Sequence, residues 1–592
     1  MGLSKDGEKA VSFTDVDASH PRYDVIMAAA KAGLVNGYDN GNGTFSFKPD
    51  ATITRAEVVK VINNAHGRKV TEVTPGFKLP VVFNDIDSTH WAYYEVMEAS
   101  VGHKLKAAAD DGIERWESTV GLTIKDFTPG DAYVASLDEL TAKRIDEIRN
   151  TPNKKVEFTG QAYYLSAEGN DENDGKTPET AWKSIEKLNT VKLASNDAVF
   201  FRRGDEFRTT QAIKGAAGVT YTAYGEGKKP VINGSPENAG YKEAWILTDT
   251  PNVYKYHQTM TSDIGGIFMN INGSDYEAEG IKVKLNKDKS FDETAKKDWT
   301  GIGSMDNHYF FHELESGIVY LRWDEGNPGE LYDSIAINRG SHGLRVNGNN
   351  ITVDNLEFIH FGFHGISAPT TKNLVVTNCE FGWIGGSFQG GNYGGARYGN
   401  GVEIYGGCDY YLIDNCYVYQ CYDAGITHQQ SSGGTNNILM KDVTYSNNVI
   451  EKCIYNIEYF CAVGANDTVE RRMENILFKD NILRLCGYGF GQQRPDKGND
   501  AHIRGGSANR ADNYHIEGNI FDRGRSNLIY VGATYAQWLP TWDNNTFVQY
   551  YGRKAIIHGA PMITYNYSAN IGEVIEKNLG DKNCNIYFVE AK

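Results

Sequence analysis

The stretch Gly401-Val402-Glu403-Ile404-Tyr405 has two echoes downstream, Gly425-Ile426-Thr427-His428-Gln429 and Asn456-Ile457-Glu458-Tyr459-Phe460. Each follows an Asn-led turn segment at nearly the same offset. Working outward, Asn355, Asn378, Asn415, Asn448, Asn481 and Asn519 recur at spacings of 23 to 38 residues, each in a short apolar strand such as Ile413-Asp414-Asn415-Cys416. Nine to eleven residues after five of them an apolar residue opens the next strand: Ile366, Ile426, Ile457, Phe490 and Leu528. After Asn378 an extra Gly and aromatic segment, Phe381 to Gly399, postpones that strand to Val402. A long period with a fixed internal offset predicts a parallel β-solenoid, in which each turn buries its apolar side chains against the next. The Asn column predicts an internal hydrogen-bonded ladder. Cys421, Cys453 and Cys486 in one column, with Cys379 and Cys416 in another, predict stacked, buried thiols rather than disulfides.

Strand alternation then assigns faces. With Ile366, Val402, Ile426, Ile457, Phe490 and Leu528 inward, the following residues point outward: Ser367, Glu403, Thr427, Glu458, Gly491 and Ile529. Two positions later come Tyr405, Gln429, Phe460 and Gln493, while His428 falls inward or at the strand edge. Glu403 and Glu458 stand two rungs apart, so their backbones should be roughly 9 to 10 Å apart. Side chains can bring such carboxyls into the roughly 6.5 to 9.5 Å range of inverting glycoside hydrolysis. Asp423, at the turn entering the intervening rung, is the competing partner for a closer, retaining pair. Its bland alternative is a turn cap. The loop from Trp383 to Tyr398, with Arg397, would wall the face and stack on sugar rings. A second wall would come from Gln492 to Lys497, with His502 and Arg504.

Bulk properties narrow the class. The 592 residues exceed one compact core, and 64 Gly, 15 Pro and 12% aromatic residues suit a β-rich repeat. A net charge of −17 without clustered Lys and Arg argues against nucleic acid. No stretch approaches 18 apolar residues, so no membrane insertion is expected. The N-terminus has no apolar signal core; the expectation is an extracellular, cell-wall or S-layer associated protein whose signal has been removed. Eight Cys fit no zinc spacing.

Near the N-terminus stand Phe13-Thr14-Asp15-Val16, Gly37-Tyr38-Asp39-Asn40-Gly41 and Ile53-Thr54-Arg55-Ala56-Glu57, the last a capping box on Thr54 and Glu57. A second opening follows at Phe83-Asn84-Asp85-Ile86 with His90-Trp91-Ala92. The segment resembles the S-layer homology (SLH) module over about one and a half repeats. That resemblance implies docking to secondary cell-wall polysaccharide, with Arg55 facing an acidic sugar group and Trp91 as a further contact. Residues 1–103 are read as this module, 104–158 as a charged, weakly helical spacer with a solvated face, and 159–592 as the solenoid with an insertion around 240–335.

From Tyr163 to Ile185, and through the hairpin-rich residues 317–328, the chain resembles extracellular right-handed parallel β-helix proteins that act on polysaccharides, of the pectate-lyase-like and β-helix glycoside hydrolase type. A short N-terminal helix there caps the open end of the solenoid. The acidic loop Gly169 to Gly175 offers alternating Asp and Asn oxygens that suit calcium.

The sequence therefore predicts a mainly β chain, a right-handed parallel β-helix preceded by a small α-helical SLH-like domain. The expected activity is cleavage of a polysaccharide, with Glu403, Asp423 and Glu458 as acid and base or nucleophile, and Tyr405, Gln429, Phe460, Gln493, Arg397, Trp383 and Tyr398 on substrate. Hydrolysis needs no cofactor. The alternatives are a calcium-dependent uronate lyase, against which stands the lack of an outward Lys on these rungs, and a non-catalytic surface adhesin or cell-wall structural protein.

Overall fold

The computed structural model describes residues 12–68, 86, 89–100, 102–105, 116–119, 128–431, 434–462, 466, 468–495, 498–506, 510–550, 552–567 and 571–589. The chain divides into two compact units, Met1–Thr128 and Pro129–Lys592.

In the first unit, helix α1 (Tyr23–Lys31) precedes the hairpin Tyr38–Asp39/Phe45–Ser46, helix α2 (Arg55–Ala65) and helix α3 (Tyr93–Ser100). Phe13, Val16, Ile26 and Ala30 form its small core. The repeat motifs hold the backbone together. Asp15 accepts the amide N–H groups of Phe47 and Lys48, both at 2.7 Å, and the Phe47 bond leads in holding its carboxyl below the usual range. Thr54 and Glu57 complete the expected capping box on α2. The segment Phe83-Asn84-Asp85 lies outside the described residues.

The second unit is a parallel β-helix. One of its three long faces, the site sheet, runs β1 (Ile213–Ala216), β2 (Leu344–Asn347), β3 (Ile366–Ala368), β4 (Val402–Tyr405), β5 (Ala424–Gln430), β6 (Tyr455–Cys461), β7 (Ala501–Gly505), β8 (Ile529–Gly532) and β9 (Lys554–Gly559), all parallel and adjacent in that order. Strand β10 (Met562–Asn566) closes its edge antiparallel. Leu344, Ile366, Val402, Ile426, Ile457, Ile503, Ile529 and Ile556 stack inward as one fully buried column.

That column corrects two rungs of the sequence reading. Phe490 lies in a 3-10 turn, Phe490–Gln493, and packs on Phe268, Trp383 and Tyr422; the strand starts only at Ala501, with Ile503 inward. Ile529, not Leu528, continues the column. An aromatic residue at the expected offset imitates a strand opening when its apolar contacts lie outside the solenoid wall.

The Asn column likewise resolves into two adjacent columns. Asn355, Asn378 and Asn415 take positive φ of 63°, 55° and 55° and turn the corner. Asn is tolerated there because its short polar side chain bonds locally. Asn448, Asn481, Asn519 and Asn545 belong to the next position, in line with Cys416, and form the ladder. Asn448 donates to Asn481 at 2.9 Å, Asn481 to Asn519 at 2.9 Å, Asn519 to Asn545 at 3.2 Å, and Asn545 to Asp581 at 2.8 Å. Cys379, Cys416, Cys421, Cys453 and Cys486 are buried free thiols.

Two further segments shape the site. The insertion occupies 234–343, between the strand Val231–Asn233 and β2, and forms its own seven-stranded sheet around Trp245, Ile267, Phe310, Leu321 and Trp323. The supposed spacer contributes helix α4 (Gly130–Arg149), which is part of the solenoid body. Leu137 and Ile148 are buried, Tyr133 stacks on Tyr587 at 3.8 Å, and Arg149 pairs with Glu380 at 3.0 Å. Of its charges Asp138 and Arg149 pair with the solenoid, at Arg484, Arg523 and Glu380, while Lys143, Arg144 and Glu147 pair within the helix, a pattern that reads as a solvated helix in sequence.

Candidate functional site

Along the outward column of the site sheet, register places Lys214, Arg345, Ser367, Glu403, Thr427, Glu458, Arg504 and Tyr530 side by side. Two in-register strands separate by about 4.8 Å, so Glu403 and Glu458 flank Thr427 with backbones about 9 to 10 Å apart. The Thr427 hydroxyl between them is buried and makes no hydrogen bond among the described residues.

Glu403 is 7% exposed. Its Oε2 accepts Asn400 Nδ2 at 2.6 Å and Gln429 Nε2 at 3.0 Å, and its Oε1 lies 3.5 Å from His364 Nε2. Burial pushes the carboxyl up to about 7 against the pull of the two amide bonds. His364 Nδ1 accepts the Asn400 amide N–H at 3.0 Å, and its Nε2 lies 2.9 Å from the Gln389 side-chain amide. Burial keeps that ring neutral by lowering its pKa to about 3.

Glu458 lies deeper in charge. Burial and then the neighbouring Asp423 charge push it up to about 8, while Arg504 and Arg494 oppose. Asp423 is itself ion-paired to Arg494, which is 8% exposed. The Arg504 guanidinium lies over the Tyr530 ring at 3.7 Å and 5.7 Å from the Tyr455 centroid. One carboxyl thus has neutral donors around it, and the other has a carboxylate and two guanidinium groups. That difference of environment is what separates acid from base in carboxylate pairs.

Other sequence-selected residues fall as follows. Tyr405 (43% exposed) and the half-buried Phe460 flank Gln429 on the same face, with the Tyr405 hydroxyl donating to Ser431 at 2.5 Å. Gln493 is not on this face. It donates to Glu279 at 2.9 Å and Gly280 O at 3.1 Å, and accepts the Lys282 amide, because the Phe490 turn carries it to the insertion. Trp383 offers no ring to a ligand on this face: it is 1% exposed on another sheet, against Phe268, with its indole N–H on Gly273 O at 3.1 Å. Arg397 is buried and donates to Gly386 O at 2.6 Å beneath the Tyr422 ring. Tyr398 remains 38% exposed.

The loop carrying these residues is a fixed wall rather than a free lid. Phe388 N donates to Asp263 at 2.6 Å, Ser387 Oγ to Asp263 O at 2.9 Å, and Tyr393 OH to His312 O at 3.1 Å. Asp263 is in turn ion-paired with fully buried Lys282. His428 points inward, bonded to Tyr445 OH at 2.8 Å. Asp496 and Lys497 lie outside the described residues. In the first unit Arg55 is exposed and Trp91 is 61% exposed.

His364 and Asn400 at Glu403 escaped the sequence reading, and Arg494 and Arg504 were placed only in a loop wall.

In the Gly169 to Gly175 loop both Asp carboxylates are committed to the protein. Asp171 accepts the Lys183 and Ser184 amides and the Ser184 hydroxyl, and Asp174 accepts Thr180 Oγ1 at 2.7 Å. These bonds brace Ser184 and Thr180 beside the helix Ile185–Leu188 and the turn Pro178–Thr180, while Glu172 of the same loop is exposed.

Comparison with known proteins matches residues 12–59 to the S-layer homology domain family. This segment is an S-layer homology domain. The chain is also 28% identical over 107 residues to Cell surface glycoprotein 1 of Acetivibrio thermocellus, a match spanning 16% of this chain and 4% of that protein. Among solved structures it resembles XylC in complex with xylose (13% identity, 66% of this chain and 76% of that one, TM-score 0.33). It also resembles a pectate lyase (12%, 69% and 78%, TM-score 0.36) and a surface adhesin of Streptococcus pneumoniae (13%, 61% and 71%, TM-score 0.28). No helix among the described residues is long and apolar enough to cross a membrane.

Proposed function

We propose that this chain is a cell-surface glycoside hydrolase, held at the wall polysaccharide by its S-layer homology domain and cleaving a polysaccharide on the site sheet. The observation that carries the reading is the in-register pair Glu403 and Glu458, two rungs apart across Thr427, with carboxyls pushed up to about 7 and about 8. Near neutral pH both carboxyls titrate, and Glu458 holds its proton to the higher pH. Glu458, the weaker acid, keeps it and donates to the leaving oxygen; Glu403 ionises first and takes a proton from the attacking water. The backbone spacing of about 9 to 10 Å leaves room for that water and favours inversion. Asn400 and Gln429 steady Glu403, and the neutral His364 ring packs beside its other oxygen. Arg494 binds Asp423, which sets it aside as a third carboxylate.

Glu403→Gln and Glu458→Gln test this on a polysaccharide panel scored for new reducing ends. Each should lower kcat by about 10²- to 10⁴-fold, as loss of a general acid or base does. Undiminished release of reducing ends by either variant refutes the assignment. A uronate lyase is the second reading, favoured by Arg504, whose charge stands beside Glu458 on the outward column without an ion pair among the described residues. An unsaturated, ultraviolet-absorbing product would decide for it. An adhesin would bind glycan with no turnover.

A further inference from the structure

A second set of carboxyl and cationic groups lies on a different face of the solenoid. There the strands Glu357–Ile359, Glu380–Ile384 and Tyr417–Cys421 lie side by side, with α4 across them. Between α4, the insertion residues Ile271 and Gly273, and this sheet is a cavity of about 400 Å³. Small-ligand sites span roughly 300 to 1,000 Å³. A neighbouring cavity, also about 400 Å³, continues along α4 and shares Arg149 and Gly273 with the first. The two form one groove rather than a single pit.

The lining is specific. Glu357 and Glu380 occupy the same position on adjacent rungs, which places their backbones about 4.8 Å apart. Glu380 is 2% exposed and pinned by Arg149 Nε at 3.0 Å. Glu357 faces the cavity, and its carboxyl makes no hydrogen bond among the described residues. Arg149 bonds Glu380 through Nε and lines the cavity with its guanidinium over the Tyr417 ring, and Lys228 is exposed at the rim. Lys229 is used differently, its ammonium closing the C-terminal carbonyls of α4 at Ile148 and Arg149. Ile359 and Tyr419 supply the apolar floor.

We propose that this groove is a second glycan-binding site, separate from the Glu403 and Glu458 face, which holds a neutral pyranose chain. An anionic sugar would meet two carboxyl groups, and a cationic one would meet Arg149, Lys228 and Lys229. A neutral polyhydroxyl ligand satisfies both kinds of group, since vicinal hydroxyls donate to a carboxylate and accept from a guanidinium. Burial, then the Glu380 charge, pushes Glu357 up to about 8, so at neutral pH it presents an O–H as well as a carbonyl oxygen. Glu357 is half-buried, and a bound hydroxyl would give its carboxyl the hydrogen bond it lacks among the described residues. On a solenoid whose other face is proposed to cut, such a groove would hold a neighbouring stretch of chain and raise its local concentration at the cleavage face.

The test uses the full chain carrying Glu403→Gln, titrated calorimetrically with cellotetraose, xylotetraose and mannotetraose, and with tetragalacturonate as the charged comparison. At least one neutral tetraose should bind. Adding Glu357→Met should weaken that binding by about tenfold or more, the worth of one hydrogen bond to a charged or buried group. Lys228→Ala, an exposed position that leaves folding intact, should weaken it severalfold, and either change made in the otherwise native chain should leave hydrolysis of a short substrate unaltered. Neutral binding that is absent, or unchanged in both variants at an unaltered melting temperature, overturns the proposal. So does a preference for tetragalacturonate that depends on Lys228. Because the readout is binding at a site away from Glu403, its failure leaves the hydrolase reading standing, and the reverse also holds.

Discussion

Replacing Glu403 by Gln should stabilise the protein above neutral pH while removing its activity. The raised carboxyl pKa fixes both the sign and the size. An unfolded Glu titrates near 4.5, whereas folded Glu403 titrates at about 7. Below 4.5 both states are protonated and no difference arises. Between those values the folded state holds a proton the unfolded state has lost, so stability falls as pH rises. Above the folded value the full loss is reached, which for a rise from 4.5 to about 7 is about 3 kcal/mol. With Glu403 only 7% exposed, little of this is screened by solvent. Gln has the same shape and can still accept the Asn400 and Gln429 donors through its oxygen, but it never ionises. Melting midpoints of parent and variant should therefore coincide at pH 4 and diverge steadily to about pH 8, with the variant higher. Parallel curves across that range would mean that Glu403 titrates as an ordinary surface carboxylate, and the acid-base assignment would lose its electrostatic basis.

Three other substitutions probe neighbouring parts of the account. Asp423→Asn removes the charge that helps hold the Glu458 pKa up, so the alkaline limb of the pH-rate profile should move to lower pH; a limb that stays put would disconnect Asp423 from Glu458. Asp263→Asn strands the buried ammonium of Lys282 and loosens the Phe388 amide, and should cost about 3 to 5 kcal/mol with faster proteolysis between 385 and 399; unchanged cleavage there would show that the wall is held by other contacts. Asn481→Ala removes the acceptor of the buried Asn448 backbone N–H and the side-chain donor to Asn519 and Tyr445 O, and should cost about 2 to 3 kcal/mol by thermal or denaturant melting, whereas a loss under 1 kcal/mol would make the ladder incidental.

The solenoid and its register were legible where strand followed strand without interruption. From Ile366 through Val402 and Ile426 to Ile457, apolar residues recur at a corner-to-strand offset that sterics keep nearly constant, so Glu403 and Glu458 could be placed on one face. The offset fails after Leu485 because a 3-10 turn intervenes, and Phe490 is apolar for a different reason, its packing on Phe268 and Trp383. A slip there hid Arg504, the outward neighbour of Glu458. The Asn columns were merged for a similar cause: Asn serves both the left-handed corner and the internal ladder, and one letter does not distinguish φ near +55° from a buried amide. Long-range partners were the least legible. Nothing in the charged run of α4 names Glu380, Arg484 or Arg523 as its partners, and nothing in the Gly-rich loop names Asp263.

The most direct measurement is the anomeric configuration of the first sugar released, followed by proton NMR on a polysaccharide that the chain hydrolyses. Glu403 and Glu458 stand two rungs apart, about 9 to 10 Å along the backbone, and that spacing predicts an inverted, saturated product that disappears in both Glu→Gln variants. A retained configuration would place the chemistry on a closer pair that includes Asp423, and an unsaturated product would replace hydrolysis by elimination.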